Sequence, residues 1–264
     1  MRLRRSVIVL AALAAFASTA VAEDKDYQLA YQQVNPLAQL STATFKFNDD
    51  CCYGSRRQSV GSLSNQFVIP VDINRDWFVL SRTVIPAITT PAVNDLATSH
   101  SGIGDSLLSL FLTPRANSDL TIGVGPAIYF PSATDPALGA GAWGTGPTIT
   151  LVYQRAGWSA GVLAHHIWSV ESPTNRRDIR FTYMQPGIAY TFPDTTAIGF
   201  GTETVYDWTT FTWTVPLILG ASHLFHFGSQ PVSLGVSAKY YVATPVDGPR
   251  WGARFTAVFL FPKH

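Results

Sequence analysis

The sequence predicts an all-β fold: a transmembrane antiparallel up-and-down β-barrel of about twelve strands, with a short N-terminal segment after a signal peptide. Three observations predict it. The chain opens on a secretory leader, its apolar residues alternate with small or polar ones at a period of two, and its short turns interleave with mostly longer links.

The leader comes first. Arg2, Arg4 and Arg5 precede an apolar stretch from Val7 to Phe16, and Ala20-Val21-Ala22 leads into Glu23-Asp24. The apolar core is too short to span a bilayer as a helix, so residues 1–22 read as a signal peptide cut after Ala22. The leader holds three of the 18 basic residues and none of the 17 acidic ones, leaving 15 against 17, a net charge of −2. This gives no general drive toward nucleic acid. No Gly/Ser or charged linker divides the rest, which reads as one domain: a periplasmic or plug segment over 23–39 and a barrel over 40–264. Within the segment, Asn35-Pro36 is a candidate helix start, with Asn as cap and Pro in the first turn. It serves either as a plug or as a flexible lead-in.

Composition sets a puzzle, because 47% of residues are apolar and 13% charged, yet no run beyond the leader reaches the ~18 to 20 residues of a membrane helix. The apolar residues are spread out by alternation. In Trp251-Gly-Ala253-Arg-Phe255-Thr-Ala257-Val-Phe259-Leu-Phe261 one face is wholly apolar and the other carries Gly252, Arg254 and Thr256. The same period appears in Val232 to Tyr240, Phe211 to Val215, and Leu120 to Phe130. Further strands are expected near 40–48, 61–72, 77–86, 104–113, 145–154, 158–169, 179–192 and 196–207, close to the ~9 to 11 residues that cross a bilayer when tilted.

The connections separate a barrel from a soluble sandwich. Short turns at Asn74 to Asp76, Arg115 to Asp119, Arg155 to Gly157, Pro193-Asp194 and Gly228 to Gln230 interleave with links at Asp49 to Val60, Ala87 to Gly102, Ser132 to Ala142 and Glu171 to Asp178. Two later links, Trp208 to Thr210 and Pro245 to Arg250, are shorter. Aromatics gather at strand ends, as interfacial girdles require. The outer rim takes Tyr129, Phe130, Trp143, Trp168, Tyr206, Trp208, Phe211, Trp213, Tyr240 and Trp251. The inner rim takes Trp77, Phe78, Tyr153, Trp158, Tyr190, Phe192, Phe225, Phe227, Phe259 and Phe261. Against the barrel stand six prolines in or near strands, Pro70, Pro86, Pro126, Pro147, Pro186 and Pro216, which bulges or strand ends must absorb.

Charges on the polar faces cannot meet lipid cheaply, since Lys or Arg at the midplane costs ~2 to 4 kcal/mol. Glu203, Lys239 and Arg254, with Thr212, Thr214, Ser237 and Tyr241 nearby, are therefore expected to point inward. Arg82, Asp105, Tyr183 and Gln185 join them as lumen-lining candidates. They either line a solute path or pair with one another and fill a closed lumen.

Cys51 and Cys52, placed in the first outer loop, can bond within the chain only to each other. A bond between neighbours falls below the usual Cα separation, so free thiols and a disulfide both stay open. Three enzyme-like strings carry little. Gly139 to Gly144 matches a dinucleotide glycine pattern without a βαβ unit. Gly104-Asp105-Ser106-Leu107 resembles the serine motif of GDSL esterases without its Asp-x-x-His, and His165-His166 point to opposite faces of one strand.

From Gln28 to Lys263 the chain resembles the outer-membrane transporter family labelled MetA-pathway of phenol degradation. The resemblance rests on Arg82-Thr-Val-Ile-Pro86, Gly102-Ile-Gly-Asp105, Gly123-Val-Gly-Pro126 with Pro131-Ser-Ala-Thr134, Trp143-Gly-Thr-Gly-Pro147, His166-Ile-Trp-Ser169 and Glu203-Thr-Val-Tyr-Asp-Trp208. Trp213-Thr-Val-Pro216, Gln230-Pro-Val232, Tyr240-Tyr-Val242 and Gly248-Pro-Arg-Trp-Gly-Ala-Arg254 follow in order. It implies a barrel in the outer membrane of a Gram-negative bacterium, acting without a cofactor as a channel or facilitator for small hydrophobic or aromatic solutes. Outer-membrane lipid and the barrel-assembly machinery are the expected partners, and nucleic acid is not one. A closed structural or surface-interaction barrel is the alternative, and an outer-membrane hydrolase a more remote one.

Overall fold

The computed structural model describes residues 24–90, 98–115, 118–171 and 178–262. The leader expected over 1–22 lies outside them, as do parts of the links from Ala87 to Gly102 and from Glu171 to Asp178. Among the described residues, fourteen antiparallel segments follow one another: β1 (Ser41–Tyr53), β2 (Gln58–Asp72), β3 (Trp77–Thr90), β4 (His100–Ile103), β5 (Ser106–Pro114), β6 (Leu120–Phe130) and β7 (Trp143–Arg155). β8 (Trp158–Glu171), β9 (Arg180–Thr191), β10 (Thr196–Thr202), β11 (Thr204–Asp207), β12 (Thr212–Phe227), β13 (Gln230–Ala243) and β14 (Trp251–Phe261) complete the series. β4 and β5 lie end to end along β3, and β10 and β11 end to end between β9 and β12, so the segments form twelve staves. The register from Ser41↔Phe261 to Cys51↔Trp251 joins β14 to β1 and closes the sheet. Closure gives the edge strands partners, the condition for crossing lipid with strands.

Alternation sorts the two faces as the sequence predicts. On β13, Val236 is 63% and Tyr240 63% exposed, while Ser233 is 2% and Lys239 5% exposed. Exposed Trp143, Trp168, Trp213 and Trp251 mark the long-loop end, and Trp77, Trp158, Phe192 and Phe227 the short-turn end. Two rim assignments are corrected: Phe78 is buried among Leu80, Phe111 and Leu163, and Tyr129 packs against Ala127, Ala142 and Ile167. Parity is the reason. Trp77 and Phe130 already take the outward positions, which turns their neighbours inward.

Each of the six prolines lies where one of its two ladders is interrupted. Pro126 and Pro147 face each other across β6 and β7. On their far sides the β5–β6 pairing skips from Ser109↔Ala127 to Leu112↔Val124, and the β7–β8 pairing from Thr145↔Trp168 to Thr148↔His165. Pro86 faces the gap between β4 and β5, Pro186 faces the gap between β10 and β11, and Pro216 sits at a register shift against β13. Pro70 extends past the start of β1. A proline without an N–H thus leaves no intact ladder short of a donor. Glycine helps: a Cβ on Gly146 would overlap the carbonyl oxygen of His166, so this seam closes only without a side chain.

Several boundaries differ from expectation. β1 runs through the cysteines to Tyr53, because a bulge sets Cys51 and Cys52 opposite the single residue Ser59, with Cys52 at φ 82°. The two are disulfide-bonded within that strand, with Cα atoms 3.7 Å apart, and not in a loop. β12 continues to Phe227, since Leu217, Leu219 and Ala221 keep one face while Ile218, Gly220 and Ser222 keep the other. Phe211 falls in the turn at φ 55°.

The helix also differs. It occupies residues 24–33, before Asn35 and not after it. The Asn35 amide closes the helix on the Gln32 carbonyl (2.9 Å), and its side-chain oxygen accepts from the Leu37 amide (2.8 Å). Asn-Pro here builds a turn, which Asn favours as readily as a cap. Replacing Gly146 by Val is expected to remove the heat-sensitive, fast-migrating folded species in electrophoresis of unboiled protein. Gly61→Ala, whose Cβ meets its nearest atom at 4.0 Å, should keep it; equal behaviour of the two variants would contradict the close seam.

Candidate functional site

The lumen is where the chemistry-bearing side chains meet. Glu203 stands at the break between β10 and β11, opposite the β9 stretch that contains Pro186, and both oxygens of its carboxylate are engaged. Arg254 on β14 donates to it through both terminal nitrogens, at 2.9 and 2.6 Å, and Lys46 on β1 through Nζ at 2.9 Å. β1 and β14 are not neighbours of β10 in the sheet, so these side chains meet only across the interior. The network continues along the wall. Arg254 Nε (2.7 Å) and Lys239 Nζ (3.2 Å) both donate to Asn48 Oδ1, and Lys239 pairs with Asp50 at 2.5 Å. Lys239 also lies over the Tyr241 ring, at 5.7 Å.

The other predicted residues divide. Arg82 on β3 is 7% exposed and donates to Gln66 Oε1 at 2.9 Å. Tyr183 donates to Gln185 at 2.9 Å and stacks on His165 at 4.8 Å. Asp105, between β4 and β5, accepts from the backbone amides of Ala133 (3.1 Å) and Ala140 (2.7 Å) in the β6–β7 loop, residues 131–142. With Leu138 and Ala142 buried and Ala142 packed beside Ala127 and Ile167, that loop folds into the long-loop end. Ser106 Oγ lies 2.7 Å from Ser132 Oγ, and His166 hydrogen-bonds Thr182 at 2.7 Å on the outer face. Sequence reading missed Lys46, Asn48, Asp50 and Gln66. The first three were legible in the alternation Thr42, Thr44, Lys46, Asn48, Asp50, which marks an inward polar face.

The short-turn end is occupied by residues 24–40. Leu37 joins one buried cluster with Val68 (β2), Phe78 and Leu80 (β3), Phe111 (β5) and Leu163 (β8), strands that come together only inside the ring. Ala30 and Leu40 pack with Leu224 and Leu260. Tyr31 donates to the Trp158 carbonyl (3.0 Å), Gln33 to Ser233 (2.9 Å) and Asn35 to Gln154 (2.8 Å), while Asp26 pairs with His226 at 3.0 Å. Burial raises the Tyr31 phenol above its ordinary value.

Between this segment and the charged ring lies a cavity of about 430 Å³. It exists because one side of the wall turns small residues inward: Ser159 and Gly161 on β8, Gly199 and Gly201 on β10, Gly220 on β12 and Gly235 on β13 all border it. The facing side carries Lys46, Gln66, Val68 and Arg82.

The profile of the family described as "Putative MetA-pathway of phenol degradation" matches residues 57–263. The chain belongs to this family. An outer membrane channel from Pseudomonas putida F1 shares the fold with a TM-score of 0.61 at 13% identity, over 84% of this chain and 96% of its own. The NanC porin does so with a TM-score of 0.54 at 8% identity, over 84% and 100%. No curated protein matches the sequence. This family member is thus a closed twelve-stranded barrel with the fold of outer-membrane channels and porins.

Replacing Glu203 by Gln leaves Lys46 and Arg254 without a counter-charge. This should cost about 2 to 5 kcal/mol, read by equilibrium denaturant unfolding in vesicles, with part regained when Lys46→Met is added. A cost under about 0.5 kcal/mol would mean that the pair is screened as surface pairs are.

In the outer loop, the Ala137 amide (2.7 Å) and then His100 (3.1 Å) hold the Asp135 carboxyl below its ordinary value. A depressed folded pKa stabilises above the unfolded value of about 3.9 and ceases to do so as pH falls through the folded one. Hydrogen exchange at Ala137 should therefore stay slow at about pH 4 and quicken only below it. Quickening already at about pH 6 would contradict the assignment.

Proposed function

We propose that the barrel is a narrow, non-enzymatic facilitator for small hydrophobic or aromatic solutes, with residues 24–40 as its plug. The carrying observation is the cavity inside the lumen, walled by small residues and closed toward the short turns by the N-terminal segment. A twelve-stranded wall lies between the eight strands that side chains fill and the sixteen that leave an open channel, so the inward glycines decide how much space remains. The mixed lining supports an organic solute: Val68, Leu163 and Ile218 are apolar, and Gln66, Gln185 and Ser237 are polar. Within this proposal Glu203, Lys239, Arg254, Arg82, Gln185 and Tyr183 line the path, and Asp105 fixes the loop that narrows its outer end.

A closed structural or surface-interaction barrel is the competing reading, favoured by the ion pairs that join β1, β10 and β14 across the interior. Conductance of the refolded mature protein in planar bilayers separates the two. The intact chain should give small discrete steps that small aromatic solutes reduce, and deletion of residues 24–35, which keeps Leu37 and Leu40, should raise the conductance severalfold. Unchanged conductance on deletion would remove the plug, and silence from both chains would favour the closed barrel.

A further inference from the structure

The cations of the lumen outnumber its carboxylates. Around the charged ring stand Lys46, Arg82, Lys239 and Arg254 against Glu203 and Asp50, and the described ion pairs use Lys46 and Arg254 on Glu203 and Lys239 on Asp50. Arg82 is left over. It is buried, with 7% of its surface exposed, it borders the cavity, and its hydrogen bond among the described residues is to the neutral Gln66. A guanidinium so withdrawn from solvent calls for an anion, and its planar fork matches a carboxylate at two points.

We propose that the chamber binds an organic carboxylate with an apolar body, its carboxylate on Arg82 and its body in the space left by Gly161, Gly199, Gly201 and Gly220. The volume, about 430 Å³, lies within the range of small-molecule pockets. Gln66, Gln185 and the hydroxyl of Thr44 stand at the same border to take or give further hydrogen bonds. Glu203 acts on Arg82 only at a distance, its ion pairs being with Lys46 and Arg254, so the guanidinium keeps its donors for a ligand. This inference rests on the facilitator reading for its biological use and names the class of solute.

The test compares benzoate with benzamide, which has the same ring and nearly the same shape but no charge. Calorimetry on the refolded mature protein in detergent micelles should show one benzoate per barrel, bound at least tenfold more tightly than benzamide. Arg82→Gln should abolish the difference, and Arg82→Lys should keep part of it. Folding of each variant is checked by heat-sensitive mobility. If Arg82→Gln does not fold, the benzoate-to-benzamide ratio of the parent protein and of Arg82→Lys still decides.

Equal binding of the two compounds, or benzoate binding that Arg82→Gln leaves unchanged, would overturn the site. Displacement of benzoate by chloride at equal concentration would reduce it to a simple anion site and overturn the apolar part. A barrel silent in bilayers that nevertheless binds benzoate through Arg82 would support the site while the facilitator reading fails. A conducting barrel indifferent to the charge would do the reverse.

Discussion

A backbone N–H or C=O left unpaired in hydrocarbon costs several kcal/mol, and the rest of this structure depends on meeting that requirement. The seam between β14 and β1 meets it at the edges. Within the wall the harder problem is the prolines that lack the donor, above all the six at Pro70, Pro86, Pro126, Pro147, Pro186 and Pro216. Each takes a place where one ladder has already ended or skipped, and glycines such as Gly146 let the neighbouring carbonyl approach across the skip. The breaks then acquire uses. Glu203 stands at the one facing Pro186, and Asp105 at the one facing Pro86. Freed from a regular ladder position, one carboxylate reaches the interior cations and the other the amides of the β6–β7 loop.

The lumen is built asymmetrically. Bulky Phe78, Leu80, Phe111, Lys46 and Arg82 project from β1, β3 and β5, while β8 through β13 turn mostly glycine, serine and alanine inward. At this strand number the distribution of side-chain volume decides how much space remains. Concentrating it on one side leaves a chamber on the other and places charge beside space. The N-terminal segment docks on both sides: Leu37 completes an apolar cluster drawn from four staves, and Tyr31, Gln33 and Asp26 reach β8, β13 and β12. Segment, chamber, charged ring and inward-folded loop therefore follow one another along the axis.

Much of this was legible from residue order. The period of two turned Arg82, Glu203, Lys239 and Arg254 inward correctly, because parity in a strand is a local geometric fact that needs no partner, and the same parity, unread over Thr42 to Asp50, held Lys46 and Asp50. It failed where both faces carry similar residues, as from Leu217 to Leu224, and where position near a strand end was taken for direction, as with Phe78 and Tyr129. The Asn35-Pro36 signal was read as a helix start and is a turn, since the same side-chain oxygen serves both geometries.

By itself the sequence determined the fold class, much of the inward set of polar residues and the family, because alternation and motif order are written along the chain. Tertiary structure alone decided which charge meets which. Lys46, Glu203 and Arg254 are separated by 157 and 51 residues, and closure with a particular register brings them together. It also decided that among the described residues Arg82 makes no ion pair, that the cysteines bond within a bulge, and that one side of the lumen holds a chamber. Each of these depends on the sum of side-chain volumes and charges around a ring, a quantity that no single strand carries.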